Sequence, residues 1–177
     1  MAGRGGAVTG LLFGSPLKLM SKIPLTVSGA QKLRSELQRL KTVDRPAVIS
    51  AIGEARLHGD LSENAEYDAA KDRQGFVEGR IARIEETLAN AHIVDPAQVD
   101  GEGRIVFGAT VDLEDLELGT EVRYQIVGDD EADIKAAKIS IESPIARALI
   151  GKGAGDIAEV QAPGGVREYE VLAVRYI

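Results

Sequence analysis

The sequence contains no cysteine and no tryptophan, and aromatic residues make up only 4% of its 177 positions. The absence of cysteine excludes disulfides, thiol nucleophiles and cysteine-ligated zinc. It also fits a reducing cytosol, so we expect a cytoplasmic protein. The two histidines, His58 and His92, are too few for a histidine-rich metal site. Any chemistry must therefore rest on carboxylates, hydroxyls and basic side chains.

Long apolar runs are also missing from the sequence. The apolar stretch Ala7–Phe13 is interrupted by Gly10 and is too short to span a bilayer. One arginine precedes it and no clear small-residue cleavage site follows, which argues against a secretory signal. We therefore expect residues 1–20 to be a disordered leader, and we expect no membrane partner.

The net charge of −7 is unevenly distributed along the chain. Residues 21–94 carry 11 basic and 11 acidic side chains, whereas residues 95–177 carry 8 basic and 17 acidic ones. Binding to free duplex DNA requires clustered cations, so the acidic half is a poor candidate for it. A protein partner with a basic or mixed surface fits this charge better.

Helical periodicity dominates residues 21–94, which we predict to form an antiparallel helical hairpin, or coiled coil. The first helix is predicted over residues 28–57, with Ser28 and Gln31 as a capping box. Pro46 predicts a kink or brief break near Val43–Pro46, and Gly59 ends the helix. The apolar stripe of this helix is predicted at Leu33, Leu37, Leu40, Ala47, Val48, Ala51, Ile52 and Ala55.

The second helix of the hairpin is predicted over residues 61–91. Each helix then has about 30 residues and a length of about 45 Å. The short connection makes the two helices antiparallel neighbours, so the hairpin projects into solvent as a probe. The apolar side of the second helix is predicted at Ala65, Ala69, Phe76, Ile81, Ile84 and Leu88.

A glycine-rich and proline-containing linker, residues 95–103, separates the hairpin from a β-rich domain over residues 104–177. Valine, isoleucine and tyrosine alternate there with charged residues, as in a half-exposed antiparallel sheet. One short helix is predicted after Ser143-Pro144, closed by Gly151, and Pro163-Gly164-Gly165 predicts a hairpin turn. The predicted strands are 104–107, 109–113, 121–127, 137–141, 157–161 and 168–177. The fold class is therefore α+β.

Acidic residues cluster at the predicted hairpin tip, at Asp60, Glu63, Glu66, Asp68 and Asp72. The spacing of Asp60 and Glu63 has two compatible interpretations. The first is a capping box at the start of the second helix, which the spacing alone favours. The second is a pair of oxygen ligands that help another protein's active centre to hold Mg²⁺, since two carboxylates alone make a poor site.

Several motifs occur in order along residues 21–177. At the tip stands Gly59-Asp60-Leu61-Ser62-Glu63-Asn64-Ala65-Glu66-Tyr67, and Arg73-Gln74-Gly75-Phe76 with Glu78-Gly79-Arg80-Ile81 follows on the second helix. Residues 107–111, 126–133, 143–147 and 163–165 carry further motifs. Together these motifs resemble those of the Gre transcript cleavage factors of bacteria, and the acidic balance favours the GreA-like branch. Ser62 stands where some relatives have a basic residue, which makes tip contact with RNA phosphate less certain.

The resemblance implies a factor that enters the secondary channel of bacterial RNA polymerase. Asp60 and Glu63 would help coordinate Mg²⁺ beside the polymerase's own metal, and the polymerase would then cut backtracked RNA near its 3′ end. Arg56 and Lys71 are the candidates for a basic patch that contacts this RNA. The C-terminal domain would have an FKBP-like fold and dock at the channel rim. The free chain would be a monomer that holds no stable metal and is not itself an enzyme.

Three alternatives remain. FKBP likeness suggests a prolyl isomerase, but residues 95–177 offer only Phe107, Tyr124, Tyr169 and Tyr176 for an aromatic pocket. A Gre-like regulator that occupies the channel without promoting cleavage has the same architecture. A structural coiled-coil adaptor explains the hairpin but not the matches in the second domain. For Arg56 and Lys71, a solvated helix face with ordinary ion pairs is an equally good interpretation.

Overall fold

The computed structural model describes residues 22–60 and 63–177. A long helical hairpin precedes a five-stranded sheet that carries one short helix. The α+β fold class is therefore confirmed. The predicted leader over residues 1–20 lies outside the described residues. Within the described residues, no helix is both long and apolar enough to cross a membrane.

The first arm of the hairpin begins with strand β1 (Ile23–Thr26) and continues through helix α1 (Val27–Arg39). A π-helical turn (Leu40–Asp44) then leads into helix α2 (Arg45–Leu57). The capping box predicted at Ser28 is wrong. Thr26 is the N-cap of α1, and its side chain accepts a hydrogen bond from the Gly29 N–H, while Ser28 lies inside the first turn.

The π-helical turn is the local irregularity that Pro46 produces. Proline has no N–H, so the regular hydrogen-bond ladder cannot continue through it, and the Arg45 N–H bonds instead to the Leu40 carbonyl. The wider turn inserts one extra residue into the helical repeat. The stripe predicted beyond this turn is therefore confirmed only in part: Val48, Ile52 and Ala55 are buried, whereas Ala47 and Ala51 are exposed.

The second arm is helix α3 (Ala65–Ala89), followed by strand β2 (Ala91–Val94). The predicted start at Leu61 lies outside the described residues, and the helix starts four residues later and stops two residues before the predicted end. Three of its six predicted apolar positions are wrong: Ala65 is exposed, and at Ala69 and Phe76 the following residue is buried instead. Ala70 and Val77 are buried, whereas Ala69 is exposed and Phe76 is 74% exposed.

The two arms are held together by one apolar seam and by ion pairs along its edges. Strands β1 and β2 pair in parallel at the base, and the Ile23 N–H donates to the Asn90 carbonyl. Among the residues that the structure describes, three ion pairs cross between the arms: Glu36–Arg80, Lys41–Glu85 and Arg45–Glu78. The buried seam consists of Leu25, Ala30, Leu33, Leu40, Val48, Ile52, Ala70, Val77, Ile81 and Ile84.

The C-terminal domain is a five-stranded sheet with one short helix. Its elements are β3 (Thr110–Asp115), β4 (Thr120–Val127), β5 (Lys138–Ser140), α4 (Pro144–Leu149), β6 (Ile157–Ala162) and β7 (Gly165–Arg175). The strand order is β5-β4-β3-β7-β6, and all neighbouring strands are antiparallel except β4 and β5, which pair in parallel. A second apolar cluster fills the space between this sheet and helix α4. In the sheet domain and its linker, the described residues also form short 3₁₀ turns at Pro96–Gln98, Asp129–Glu131 and Ile134–Ala136.

Most local predictions for this domain are confirmed. Ser143 caps α4 by accepting from the Ala146 N–H, Gly151 follows the helix with a φ of 84°, and Pro163-Gly164 connects β6 to β7. The strand predicted over residues 104–107 is wrong. Only an isolated bridge joins Arg104 to Gly153, because this segment packs its buried Ile105 into the core as a connection.

Candidate functional site at the hairpin tip

The tip connects α2 to α3 through a short turn. Helix α2 ends at Leu57, His58 is its C-cap, and Gly59 has a φ of 115°. Residues with a Cβ rarely adopt that backbone conformation, so glycine is required for the chain to leave the helix here. The turn places Asp60 at the end of the hairpin that lies farthest from the sheet domain.

Asp60 and Glu63 are both exposed, and both precede the first residue of α3. The capping box predicted for this pair is wrong, since the helix starts at Ala65 and has Asn64 as its N-cap. Asp60 and Glu63 therefore do not form the N-terminal cap of α3. Both acids lie on the connection itself, where they are exposed to solvent.

Asn64 closes the tip, a role that the sequence prediction missed. Its Oδ1 accepts from the Tyr67 N–H at 3.1 Å and so caps α3. Its Nδ2 donates to the Ala55 carbonyl at 2.7 Å, which belongs to the last turn of α2. One amide side chain thus fixes the start of one helix against the end of the other. Asparagine is a preferred N-cap residue, and this signal was available in the sequence.

The predicted basic residues lie on the two arms just below the tip. Arg56 is exposed on α2, and its guanidinium carbon lies 6.0 Å from the ring centroid of Tyr67 on α3. This contact is at the outer limit of a cation–π interaction. Lys71 is exposed on α3, where its Nζ donates to Gln74 Oε1 at 2.9 Å. The tip therefore brings Arg56 near the acidic turn, whereas Lys71 lies about two helical turns below the start of α3.

The carboxylates at the tip can supply only part of the ligand set that a hard cation requires. Carboxylate oxygens are the ligands that Mg²⁺ prefers, and Asp60 with Glu63 can supply two of an octahedral set. Among the described residues, no group of three or more histidine, cysteine, aspartate or glutamate side chains is arranged to hold a metal ion. The tip chemistry is thus that of a partial site, which needs ligands from another molecule.

An apolar groove on the C-terminal domain bears on the isomerase alternative. It lies between the start of α4 and the β6–β7 hairpin, and Pro144, Ile145, Val160 and Tyr169 line it. Tyr169 is the one aromatic residue among its lining residues. A prolyl-binding pocket is typically lined by several aromatic residues, so this groove does not support isomerase chemistry.

Comparison with known proteins gives a consistent assignment for both parts of the chain. Residues 23–93 match the family model "Transcription elongation factor, N-terminal", and residues 100–176 match "Transcription elongation factor, GreA/GreB, C-term". The chain is 68% identical to transcription elongation factor GreA of Ralstonia nicotianae over 158 residues, which cover 89% of this chain and 100% of that protein. The GreA protein of Methylococcus capsulatus is 63% identical over the same shares of the two chains.

Two solved structures are also similar. GreA factor homolog 1 of Thermus thermophilus is 29% identical with a TM-score of 0.40, and the match covers 87% of this chain and 99% of that one. A GreA/GreB factor from Nitrosomonas europaea is 24% identical with a TM-score of 0.38, covering 88% and 98%.

The sequence relatives match along nearly their whole length, and both halves of the chain match the two parts of one family. This chain therefore belongs to the GreA/GreB family of transcription elongation factors.

Proposed function

We propose that this elongation factor places its hairpin tip in the secondary channel of bacterial RNA polymerase and stimulates the polymerase's own cleavage of backtracked RNA. The observation that carries the proposal is the location of Asp60 and Glu63, two exposed carboxylates on the turn of a long hairpin. Carboxylates held at the end of a probe can complete an active centre that lies deep inside a partner.

The hairpin has dimensions that suit this role. From the start of α1 to the end of α2 the first arm has a length of about 45 Å, and each helix with its side chains is about 10–12 Å across. The cross-arm ion pairs and the Asn64 contact to the Ala55 carbonyl connect the arms along this length. Such a probe reaches an interior site without a large movement of the sheet domain.

At the polymerase active centre, Asp60 and Glu63 would offer oxygen ligands to a second Mg²⁺. A metal bound there supplies Lewis-acid stabilisation and a more acidic water for phosphodiester hydrolysis. The chain itself would orient these ligands, and the remaining ligands would come from the polymerase and the RNA. On this proposal the factor is an activator of the polymerase nuclease and has no nuclease activity of its own.

The basic side chains near the tip would contact the RNA. Arg56 is exposed beside the acidic turn, and Lys71 is exposed along α3. Cations near phosphate oxygens stabilise bound RNA without reading its sequence. We assign both residues to the extruded 3′ segment, and we assign docking at the channel rim to the acidic sheet domain.

A cleavage assay on stalled, backtracked polymerase with end-labelled RNA tests this function. The wild-type chain should accelerate release of the 3′ fragment, whereas Asp60→Asn and Glu63→Gln should each lose about 10²-fold or more of the acceleration, as expected for a lost catalytic ligand. Both variants should still compete with wild type for polymerase, because they keep the size of the side chains.

Asp72→Asn is the matched control, since it removes the same charge from another exposed acid on α3. Its cleavage activity should equal that of the wild type. A wild-type chain that binds polymerase without accelerating cleavage would instead identify the alternative, a channel-binding regulator. Equal activity of the Asp60 and Glu63 variants would reject the assigned tip chemistry.

A further inference from the structure

The turn Asp129–Glu131, which follows β4 in the sheet domain, contacts both arms of the hairpin at its base. Glu131 is only 6% exposed, although it is a carboxylate. A buried carboxylate is costly unless hydrogen bonds satisfy it, so its partners indicate what it does.

Those partners belong mainly to the hairpin. Glu131 Oε2 accepts from the Thr26 N–H at 2.9 Å and from the Gly128 N–H at 3.4 Å. Glu131 Oε1 accepts from the Thr26 hydroxyl. Since that hydroxyl has a single proton, the Ser28 hydroxyl must be the donor in the 3.0 Å contact between the two. The N-cap of α1 is thus also the attachment point of the sheet domain.

Gly29 is the residue that makes room for this carboxylate. A Cβ at position 29 would lie 1.8 Å from Glu131 Oε1, so any other residue would displace it. Gly128 is similarly constrained on the sheet side, where a Cβ would lie 2.5 Å from the Pro24 carbonyl oxygen. Glycine inside a helix costs about 0.5–1 kcal/mol relative to alanine, and at Gly29 the close approach of Glu131 explains its presence.

Asp130 makes the corresponding contacts with the second arm. Its carboxylate lies 3.3 Å from Arg83 Nε and 3.6 Å from Arg80 Nη1, and it accepts from the Thr87 hydroxyl at 3.1 Å. Arg80 also donates two hydrogen bonds to Glu36 on α1. From one turn, Glu131 therefore contacts the N-cap of α1 and the adjacent Asp130 contacts α3.

The length of the hairpin makes this attachment important for function. A rotation of about 10° at the base would move a point about 45 Å away by about 8 Å, whereas ligand placement in catalysis tolerates less than about 1 Å. We propose that Asp130 and Glu131 form a latch that sets the direction of the hairpin, and that they are positioning residues for the tip. The functional part of this inference rests on the proposed role in cleavage.

The direction of the hairpin can be measured directly, because the chain has no native cysteine. Spin labels on Leu57→Cys near the tip and Leu118→Cys in the sheet domain occupy positions that are 86% and 62% exposed. Pulsed electron–electron double resonance on the full chain measures the distance between the two labels, and it should give a narrow distance distribution for the wild type. Glu131→Gln and Gly29→Ala should broaden or shift it by about 5 Å or more, given the lever length.

Gly53→Ala is the matched control, since it adds the same methyl group to a helix at a position with open space around it. It should leave the distribution unchanged. Thr26→Ser should also behave as wild type, because it keeps the hydroxyl, whereas Thr26→Val should behave like Glu131→Gln. Circular dichroism checks the fold, and if Gly29→Ala does not fold, the isosteric Glu131→Gln decides the outcome.

The same variants are then tested for RNA cleavage over a range of factor concentrations. The maximal rate should fall at least about tenfold for Glu131→Gln, while the concentration for half-maximal effect changes little. Unchanged distances in Glu131→Gln would overturn the latch, and altered distances with an unchanged maximal rate would overturn its positioning role. If the wild type itself does not stimulate cleavage, the proposed function fails, and the distances still decide whether the latch exists.

Discussion

Thr26 caps α1 and Asn64 caps α3, and these two residues show how well a local sequence pattern predicts a helix N-cap. The sequence pattern favours Ser28 and Asp60, which satisfy the same capping rule and lie two and four residues away from the observed caps. The observed caps have additional partners, since Thr26 bonds to Glu131 and Asn64 bonds to the Ala55 carbonyl. Tertiary contacts therefore determine which of several neighbouring residues caps the helix, and the sequence predicts the position of a cap only to within a few residues.

Replacement of Asn64 tests the importance of its two hydrogen bonds at the tip, one from the Tyr67 N–H and one to the Ala55 carbonyl. Asn64→Ala should lower the free energy of unfolding by about 1 kcal/mol through the lost cap, and should also reduce stimulated RNA cleavage although Asp60 and Glu63 are intact. Asn64→Asp keeps the cap acceptor but loses the donor to the Ala55 carbonyl. The Asn64→Asp variant should therefore have a higher free energy of unfolding than Asn64→Ala, but it should still show reduced stimulation of RNA cleavage. If both variants stimulate RNA cleavage at the wild-type rate, the hydrogen bonds of Asn64 have no role in the function of the tip.

At the scale of elements, the helices and most strands follow from the sequence pattern, while the exact register does not. The π-helical turn Leu40–Asp44 adds one residue ahead of Pro46. Of the predicted stripe positions that follow it, Val48 and Ile52 are buried, whereas Ala47 and Ala51 are exposed. A regular repeat cannot reveal such an insertion, because the proline signal predicts an irregularity but not its form. On α3, Phe76 was also predicted on the buried face, but it is 74% exposed and its neighbour Val77 is buried instead.

The ion pair between Glu36 and Arg80 gives a pH-dependent prediction for the hairpin. Two hydrogen bonds from the Arg80 guanidinium lower the pKa of the Glu36 carboxyl. Because the folded state prefers the ionised form, the stabilisation is present above the pKa of the unfolded chain and is lost as the pH falls through the lower folded pKa. Glu36→Gln should therefore cost about 1 kcal/mol at neutral pH and nothing in strong acid.

Urea denaturation of wild type and Glu36→Gln at several pH values measures this difference. Glu86→Gln, at an exposed glutamate on α3, is the control and should cost little at any pH. A cost for Glu36→Gln that is constant with pH would show that the carboxylate charge does not stabilise the hairpin.

At the scale of the whole molecule, the chain is a long helical hairpin attached to an acidic sheet domain. The sequence predicts these two parts and the acidic residues at the tip. It cannot predict the joint, because the hydrogen bond between Thr26 and Glu131 connects residues 105 positions apart. Nor does a periodic pattern indicate that Gly29 and Gly128 are small because two domains approach closely there. The structure thus adds a hydrogen-bonded joint between the base of the hairpin and the sheet domain.

The magnesium dependence of stimulated cleavage tests the central claim most directly, namely that Asp60 and Glu63 are ligands in a site shared with the polymerase. Cleavage of backtracked RNA is measured at saturating factor over a range of Mg²⁺ concentrations. If the carboxylates are ligands, Asp60→Asn and Glu63→Gln should require a higher Mg²⁺ concentration for half-maximal rate by about tenfold or more, and Asp72→Asn should not. An unchanged Mg²⁺ requirement in the Asp60 and Glu63 variants would contradict the shared site.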